Sequence, residues 1–394
     1  MHRKILTFQK LLRAFCFFAG IVILVLSLTA AKHIPLHDRV LVQGIGIDRD
    51  INGRFHVTVQ AVPTGAGSDA EVYESDGSSV YDALNGITRY SGKTPFYTQT
   101  SIVIIGKQCA EQGLRDVFDF FIRFSEARPG ESVFLTKGTA REIVTLQRAS
   151  KASVEEDTIQ ISRYVLAEQI EQLAGGNPDP QLMNVDILDA ANALYSPDCD
   201  VYLPVLSVEG EKIKADGCAV FCQGKLSGIS DQKTSVAVKA FHAPLEGGTW
   251  NVELSSGGTA TLGFLTSRCD IIPEIQKDLP RFHISFSCKM RIEELHLPAG
   301  KRKDRQSTEM IWQAASDTLR RDLEETLDTV VRQYHADVVC FGRTLLRKET
   351  AWWVRHENDW AKIFPRVSCD VSVYVDLADE GSEISPDFIT ADLP

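Results

Sequence analysis

The stretch Arg281-Phe-His-Ile-Ser-Phe-Ser-Cys-Lys-Met-Arg-Ile-Glu-Glu-Leu295 decides the fold class of this chain. Apolar side chains occupy every second position from Phe282 to Ile292, and polar or charged side chains occupy the positions between them. A period of two residues is typical of a strand with one face in the core and one in solvent. We therefore predict a half-buried antiparallel strand, which needs a second layer to cover its apolar face.

The segment from Ser307 to Ala336 supplies that layer. Its apolar residues recur at helical spacing, at Ile311, Ala315, Leu319, Leu323, Leu327, Val330 and Tyr334. A helix over residues 307–336 would be roughly 45 Å long at ~1.5 Å per residue. A second helix is predicted from Leu345 to Trp360, and a final alternating strand from Arg366 to Leu377. Residues 214–380 are thus predicted to form an antiparallel sheet under one long helix.

Residues 38–208 are predicted to form a first region of mixed α/β structure. Arg39–Asp48 and Phe55–Val62 read as two strands, and Asn52-Gly53 between them favours a hairpin turn. Further strands are predicted at Ser101–Ile105 and Val133–Thr136, and helices at Val80–Tyr90, Leu114–Phe124, Thr139–Gln147, Val154–Leu173 and Gln181–Tyr195. The fold class is therefore α+β, with a boundary near residues 209–211 and a loose acidic tail over residues 381–394.

An apolar run from Ala14 to Ala31 precedes this body, within a separate segment of residues 1–32. Eighteen uncharged residues are about the minimum for a helix that crosses a ~30 Å hydrocarbon core. The basic residues Arg3, Lys4, Lys10 and Arg13 lie before the run, which favours a cytoplasmic N-terminus and an extracytoplasmic body. The residues expected to line the anchor are Ala14, Phe17, Ile21, Leu24, Leu28 and Ala31.

This run has two alternatives to a retained anchor. A cleaved signal peptide usually has a shorter apolar part of ~7–15 residues, and Ser27–Ala31 offers a poor cleavage site. A buried helix of a cytosolic protein is disfavoured because the run has no polar face. We expect a retained anchor.

The charge balance excludes one class of function. The first 32 residues carry five basic and no acidic side chains, so the rest has 37 basic against 53 acidic, a formal charge of −16. Such a body repels nucleic acid. The nine cysteines have no metal-type spacing and are interpreted mainly as small core residues, with a disulfide framework or zinc site as the less favoured alternative.

The partial motifs for catalysis, metal binding or cofactor binding in this sequence are incomplete. Asp48-Arg-Asp50-Ile-Asn52 resembles the start of a calcium loop, but the twelfth position is Val59 rather than glutamate. Gly44-Ile-Gly46 lacks the third glycine of a dinucleotide-binding fingerprint. The acidic pairs Glu155-Glu156 and Glu324-Glu325 are most simply solvated helix faces. We therefore expect a protein that is not an enzyme and has no catalytic, cofactor or metal residues.

Three tryptophans stand out near the C-terminus, at Trp352, Trp353 and Trp360. Core packing is the simplest interpretation of their spacing. The alternative is an aromatic patch that contacts a partner or membrane, because aromatic side chains are enriched at such surfaces. They are therefore the candidate partner surface of this chain.

Several stretches together resemble the Ger(x)C-type spore germination proteins, the C subunits of spore germinant receptors. The stretches that carry the resemblance are Leu41–Asp48, Phe55–Gln60, Val103–Gly106, Gly113–Phe120, Arg123–Arg128, Lys137-Gly138, Ala140–Ile143, Ala219–Phe221, Lys225–Gly228, Ala336-Asp337, Phe341-Gly342, Trp360–Pro365 and Val371–Val375. Their order and spacing over residues 38–380 are more specific than any one of them.

The resemblance implies a non-enzymatic, membrane-attached subunit on the extracytoplasmic side of the spore inner membrane. It implies two integral-membrane partner subunits, and leaves open whether this chain contacts the small-molecule germinant. Members of the family usually carry a lipid-modified cysteine followed by tryptophan at the end of the apolar run, where this chain has Ala30. The apolar helix would then be the anchor itself. The alternative function is a membrane-tethered solute-binding protein or hydrolase.

Overall fold

A computed structural model describes residues 13, 15, 17–22, 38–62, 71–124, 126–146, 183–210, 212–255, 257–297 and 305–378. The strands are β1 Arg39–Arg49, β2 Phe55–Ala61, β3 Glu71–Gly77, β4 Thr94–Phe96, β5 Ile102–Gly106, β6 Ser132–Thr136, β7 Tyr202–Glu209, β8 Lys212–Cys222, β9 Lys225–Ser230, β10 Thr249–Glu253, β11 Thr259–Gln276, β12 Leu279–His296 and β13 Ser368–Ala378. The helices are α1 Val80–Ser91, α2 Lys107–Gln112, α3 Arg115–Arg123, α4 Ala140–Thr145, α5 Ile187–Tyr195, α6 Gln232–His242, α7 Arg305–Asp328, α8 Phe341–Lys348, α9 Thr350–His356 and α10 Trp360–Ile363.

The first nine strands form one mixed sheet in the order β3-β2-β1-β5-β6-β7-β8-β9, with β4 paired to β1. The predicted hairpin of β1 and β2 is confirmed, and β1, β5, β6 and β7 run parallel to one another. Helix α4 covers one face of this sheet through Ile143 and Val144. Helices α1, α3 and α5 cover the other face, where Leu84, Val117 and Ala190 are in the main core.

The remaining strands form a second sheet in the order β10-β11-β12-β13. The strand predicted at 281–295 is β12, which pairs with β11 through a tight turn at Lys277 and Asp278. Both turn residues have positive φ, 49° and 65°, which a two-residue hairpin turn of type I′ requires. The predicted long helix is α7, and a π-helical turn at Thr329–Gln333 extends it.

The sheet of the second region is not wholly antiparallel, because β12 and β13 run parallel. A parallel pair needs a crossover connection, and α7 to α10 provide it between the two strands. The stripe predicted on α7 packs into the core, where Ile311, Leu319 and Leu327 are buried. The mixed α+β class is thus correct, whereas the purely antiparallel sheet is wrong.

The boundary predicted near residues 209–211 falls inside the nine-stranded sheet, because β7 and β8 pair antiparallel on either side of it; Gly210 has a φ of 64°. The single helix predicted at 345–360 is instead α8, α9, a 3₁₀ turn and α10, broken at Glu349 where φ is −129° and ψ is 46°. The predicted helix at 154–173 lies outside the described residues.

Candidate functional site

Asp48 lies in Leu41–Asp48, one of the stretches that carry the resemblance to spore germination proteins. Its carboxylate caps helix α4. Its two oxygens accept hydrogen bonds from the backbone nitrogens of Ala140 at 2.8 Å and Arg141 at 3.0 Å. Burial raises the pKa of Asp48, while these two backbone donors act in the opposite direction. A side chain at Gly46 would lie 3.0 Å from Val144, so the glycine allows α4 to pack on β1. Asp48 and Gly46 therefore fix α4 on the sheet.

Asp337 also caps a helix. It lies in Ala336-Asp337, another of the stretches that carry the resemblance. Its carboxylate accepts hydrogen bonds from the backbone nitrogens of Phe341 and Gly342, both at 2.8 Å, at the start of α8. The indole Nε1 of Trp360 donates a third hydrogen bond at 3.0 Å. Burial raises the pKa of Asp337 to about 7, although the backbone donors lower it. Residues far apart in the sequence thus converge on one buried carboxylate.

Residues 198–200 and 337–343 form a joint that we call the clasp. The backbone nitrogen of Asp200 donates to the carbonyl oxygen of Asp337 at 3.0 Å, and the backbone nitrogen of Asp337 donates to Oδ2 of Asp200 at 2.9 Å. The backbone nitrogen of Arg343 donates to the carbonyl oxygen of Asp198 at 2.9 Å. The clasp therefore joins the loop before β7 to the start of α8.

A disulfide between Cys199 and Cys340 crosses the middle of the clasp and joins two cysteines that are 141 positions apart in the sequence. Their Cα atoms are 4.5 Å apart, within the range for a disulfide. For these two residues the interpretation as small core hydrophobes is wrong. Sequence spacing held no signal for this pair, because the fold alone brings the two cysteines together.

A cleft of about 510 Å³ lies beside the clasp. Its lining includes Arg115, Tyr195, Asp200, Gln223, His335 and Trp360. Oδ1 of Asp200 accepts from the backbone nitrogen of Gln223 at 2.8 Å, and its other oxygen is held within the clasp. The carboxylates of Asp200 and Asp337 are thus engaged by backbone and indole donors. They are arranged as structural acceptors rather than as an acid and base directed at a substrate.

The three tryptophans lie in the core. Trp352, Trp353 and Trp360 are 3%, 1% and 4% exposed. The rings of Trp353 and Trp360 pack edge-to-face with centroids 5.4 Å apart. The patch expected at these residues is not available to a partner in this structure. The core-packing interpretation describes them, because they build the interior between α8, α9 and α10.

The apolar run is described only in part. Phe17 and Ile21 lie in a helical stretch over residues 17–22 and are 73% and 42% exposed. The other expected anchor residues, Ala14, Leu24, Leu28 and Ala31, lie outside the described residues. Among the residues that the structure describes, no helix has both the length and the apolar character of a membrane span.

The residues that resembled a calcium loop do not converge. Asp48 faces α4, whereas Oδ1 of Asp50 accepts from the backbone nitrogens of Asn52 and Arg54 at 2.8 Å each. This is the hydrogen bonding of a hairpin turn. Across the described ranges of the chain, no group of three or more His, Cys, Asp or Glu side chains is placed to hold a metal ion.

Comparison with known proteins gives two family matches that follow each other along the chain. Residues 32–208 match the spore germination protein N-terminal domain, and residues 216–381 match the C-terminal domain described as spore germination B3/GerAC like. Among solved structures, the crystal structure of the GerBC protein superposes with a TM-score of 0.57 at 16% identity, over 85% of this chain and 97% of that one. No curated protein matches significantly. The fold is therefore similar to that of GerBC, and the chain belongs to the GerAC-type family of spore germination proteins.

Proposed function

We propose that this chain is a non-enzymatic, membrane-anchored, extracytoplasmic subunit of a spore germinant receptor that works through contact with two integral-membrane partner subunits. The consecutive family matches over residues 32–208 and 216–381 are the observation that carries this proposal. The matching residues Asp48 and Asp337 support the non-enzymatic part, because their oxygens are engaged in capping helices.

The anchored, extracytoplasmic arrangement has two supports. The run Ala14–Ala31 is long enough to span a bilayer as a helix, and basic residues precede it. A disulfide persists in oxidising compartments outside the cytoplasm, and Cys199 and Cys340 form one. Only residues 32–38 separate the apolar run from β1, and seven residues span at most ~25 Å. The start of β1 at Arg39 would therefore lie close to the membrane.

Affinity purification of the full chain from detergent-solubilised spore membranes tests the proposal. We expect two polytopic membrane proteins to be recovered with it, and mass spectrometry of the mature chain to detect a start at Met1 or His2. Recovery without any polytopic partner would contradict the receptor role. A mature start near Lys32 would contradict the anchor alone.

The cleft beside the clasp favours one second candidate, a solute-binding protein. Its volume of about 510 Å³ lies in the range of small-molecule sites. Isothermal titration of the full chain with candidate nutrients decides between the two. Saturable binding that is lost when Gln223→Trp fills the cleft would favour solute binding, whereas absence of heat with every nutrient would remove it.

A further inference from the structure

The disulfide links the two regions that match the family models, residues 32–208 and 216–381. Cys199 belongs to the loop between α5 and β7 in the first region, and Cys340 directly precedes α8 in the second. Both cysteines are buried, at 5% and 8% exposure. The covalent bond therefore ties the first region to the start of α8 from inside the protein.

The clasp hydrogen bonds flank this pair of cysteines. The reciprocal bonds between Asp200 and Asp337 lie on one side of the disulfide, and the bond from Arg343 to Asp198 lies on the other. Backbone segments held on both sides bring the two sulfurs to bonding distance. The other described cysteines remain thiols, namely Cys109, Cys218, Cys222, Cys269, Cys288 and Cys369.

Once the protein has folded, the remaining thiols are poorly suited to attack the finished disulfide. Burial raises the pKa of Cys109 and Cys218 to about 12, and that of Cys222 to about 11. A thiol with such a pKa forms little thiolate, which is the species that attacks a disulfide. Cys222 also lines the cleft next to Cys199, and its Sγ lies 3.3 Å from the carbonyl oxygen of His335. The folded protein therefore keeps the Cys222 thiol, which lines the same cleft as Cys199, in a poorly reactive form.

We propose that Cys199 and Cys340 are the oxidation site for an extracytoplasmic thiol–disulfide oxidoreductase, which must form its mixed disulfide with Cys199 before α8 docks; docking then brings Cys340 to Cys199 and closes the clasp. This inference rests on the proposed extracytoplasmic location. Burial of both sulfurs blocks access of an enzyme once the clasp has formed, so oxidation precedes or accompanies folding. The partner is thus a protein with an oxidised dithiol active site.

The chemistry balances as two thiol–disulfide exchanges. The Cys199 thiolate attacks one sulfur of the oxidised enzyme, forms a mixed disulfide and displaces the enzyme's second sulfur as a thiolate. The Cys340 thiolate then attacks Sγ of Cys199 and displaces the enzyme's first sulfur. The substrate loses two electrons and two protons in total, and the enzyme leaves as a reduced dithiol.

The first experiment traps thiols in the full-length chain. Membranes are quenched in acid, alkylated under denaturing conditions and mapped by mass spectrometry without reduction. We expect a linked peptide pair that contains Cys199 and Cys340, with Cys222 alkylated. Alkylation of both clasp cysteines, or a link from either to another cysteine, overturns the proposal. If the clasp cysteines are thiols while the chain stays anchored and recovers its partners, only this inference fails.

The second experiment measures order and enzyme dependence with the reduced full-length chain in detergent. We expect the oxidised thiol–disulfide oxidoreductase to form the disulfide at least ten times faster when the enzyme is added during refolding than when it is added after refolding is complete. The proposal is overturned if the rates during and after refolding are equal. It is also overturned if oxidised glutathione forms the disulfide as fast as the enzyme does. Cys222→Ser is the matched control and should leave both rates unchanged. Acid quenching of Cys340→Ser during the reaction should trap a mixed disulfide between Cys199 and the enzyme, because the thiol that resolves it is missing; this readout does not require the variant to fold.

Discussion

The indole Nε1 of Trp360 donates a 3.0 Å hydrogen bond to Oδ2 of Asp337, and the same carboxylate caps α8. Trp360 begins α10, 23 residues along the chain from Asp337. One buried acidic group thus joins the start of α8 to the start of α10. Since both residues belong to stretches that resemble the family, the resemblance here reflects how this part of the fold is held.

Trp360→Phe should destabilise the protein by about 2 kcal/mol. A six-membered aromatic ring remains, but the rest of the buried indole and its hydrogen bond to a carboxylate are lost, and such bonds contribute roughly 1.5–3 kcal/mol. Trp352→Phe is the matched control, because its indole donates at 3.0 Å to Asp278, whose side chain is largely exposed. The control should cost about 0.5–1 kcal/mol. Urea unfolding followed by circular dichroism measures both, and an equal loss in the two variants would contradict the role of Asp337.

Gly342→Ala should destabilise the protein by about 3 kcal/mol. A Cβ at this position would lie 2.6 Å from the ring of Trp353 and 2.8 Å from the carbonyl oxygen of Asp198, so the clasp would have to open slightly. Overpacking of this kind costs roughly 1–3 kcal/mol. Gly130→Ala is the control, since a Cβ there has no neighbour within 4 Å. Similar unfolding midpoints for the two variants would show that the clasp tolerates the added methyl group.

Amphipathic periodicity explains which parts of the fold could be predicted from the sequence. Strand β12 and helix α7 each carry a regular apolar face, and both were predicted within a few residues apart from the π-helical end. The direction of β13 was not predictable, because a strand shows the same alternation in a parallel and an antiparallel pair. The sequence predicts a boundary near residues 209–211 but not the pairing of β7 with β8 across it, because a hairpin turn and a domain boundary share the same local chemistry.

The candidate site is formed by contacts between segments that are far apart in the sequence, and the sequence alone does not predict such contacts. Asp337 and Trp360 were singled out by resemblance, yet neither the hydrogen bond between them nor the disulfide of Cys199 and Cys340 has a local signal. The tryptophans fitted both a core and an exposed patch, since helical spacing alone does not identify what covers a face. The structure decides because α10 turns Trp360 inward onto Asp337.

Asp48→Ala should cost about 1–2 kcal/mol of stability, the usual cost of removing a helix cap. It leaves the backbone nitrogens of Ala140 and Arg141 without their present acceptor. Asp116→Ala is a control at a surface ion pair with Arg49, whose loss should cost less than about 1 kcal/mol. Hydrogen exchange should become faster over residues 140–145 in Asp48→Ala only. Unchanged exchange there would show that Asp48 does not hold α4.

The carboxyl group of Glu131 makes stability depend on pH. Its side chain is buried, at 2% exposure. Oε1 accepts from the backbone nitrogen of Arg128 at 3.0 Å, while Oε2 has no hydrogen-bond partner within the described part of the chain. Burial raises the pKa of Glu131 to about 7 from an ordinary value of 4.5. Because the folded pKa exceeds the unfolded one, the stability linked to this group is complete below about pH 4.5 and is lost as the pH rises through 7.

Glu131→Gln should therefore stabilise the protein at pH 8, by about 1–2 kcal/mol after the cost of burying an amide is subtracted. The gain should shrink towards pH 5, where the folded wild-type chain already holds a proton on Glu131. Urea unfolding at pH 5, 6, 7 and 8 measures the difference in the free energy of unfolding between wild type and Glu131→Gln. Glu126→Gln, in the same loop, is a control that should not change how steeply the free energy of unfolding depends on pH. Some dependence on pH will persist in Glu131→Gln, because burial also raises the pKa of Asp337 to about 7. A constant difference between wild type and Glu131→Gln from pH 5 to 8 would show that Glu131 does not titrate in this range.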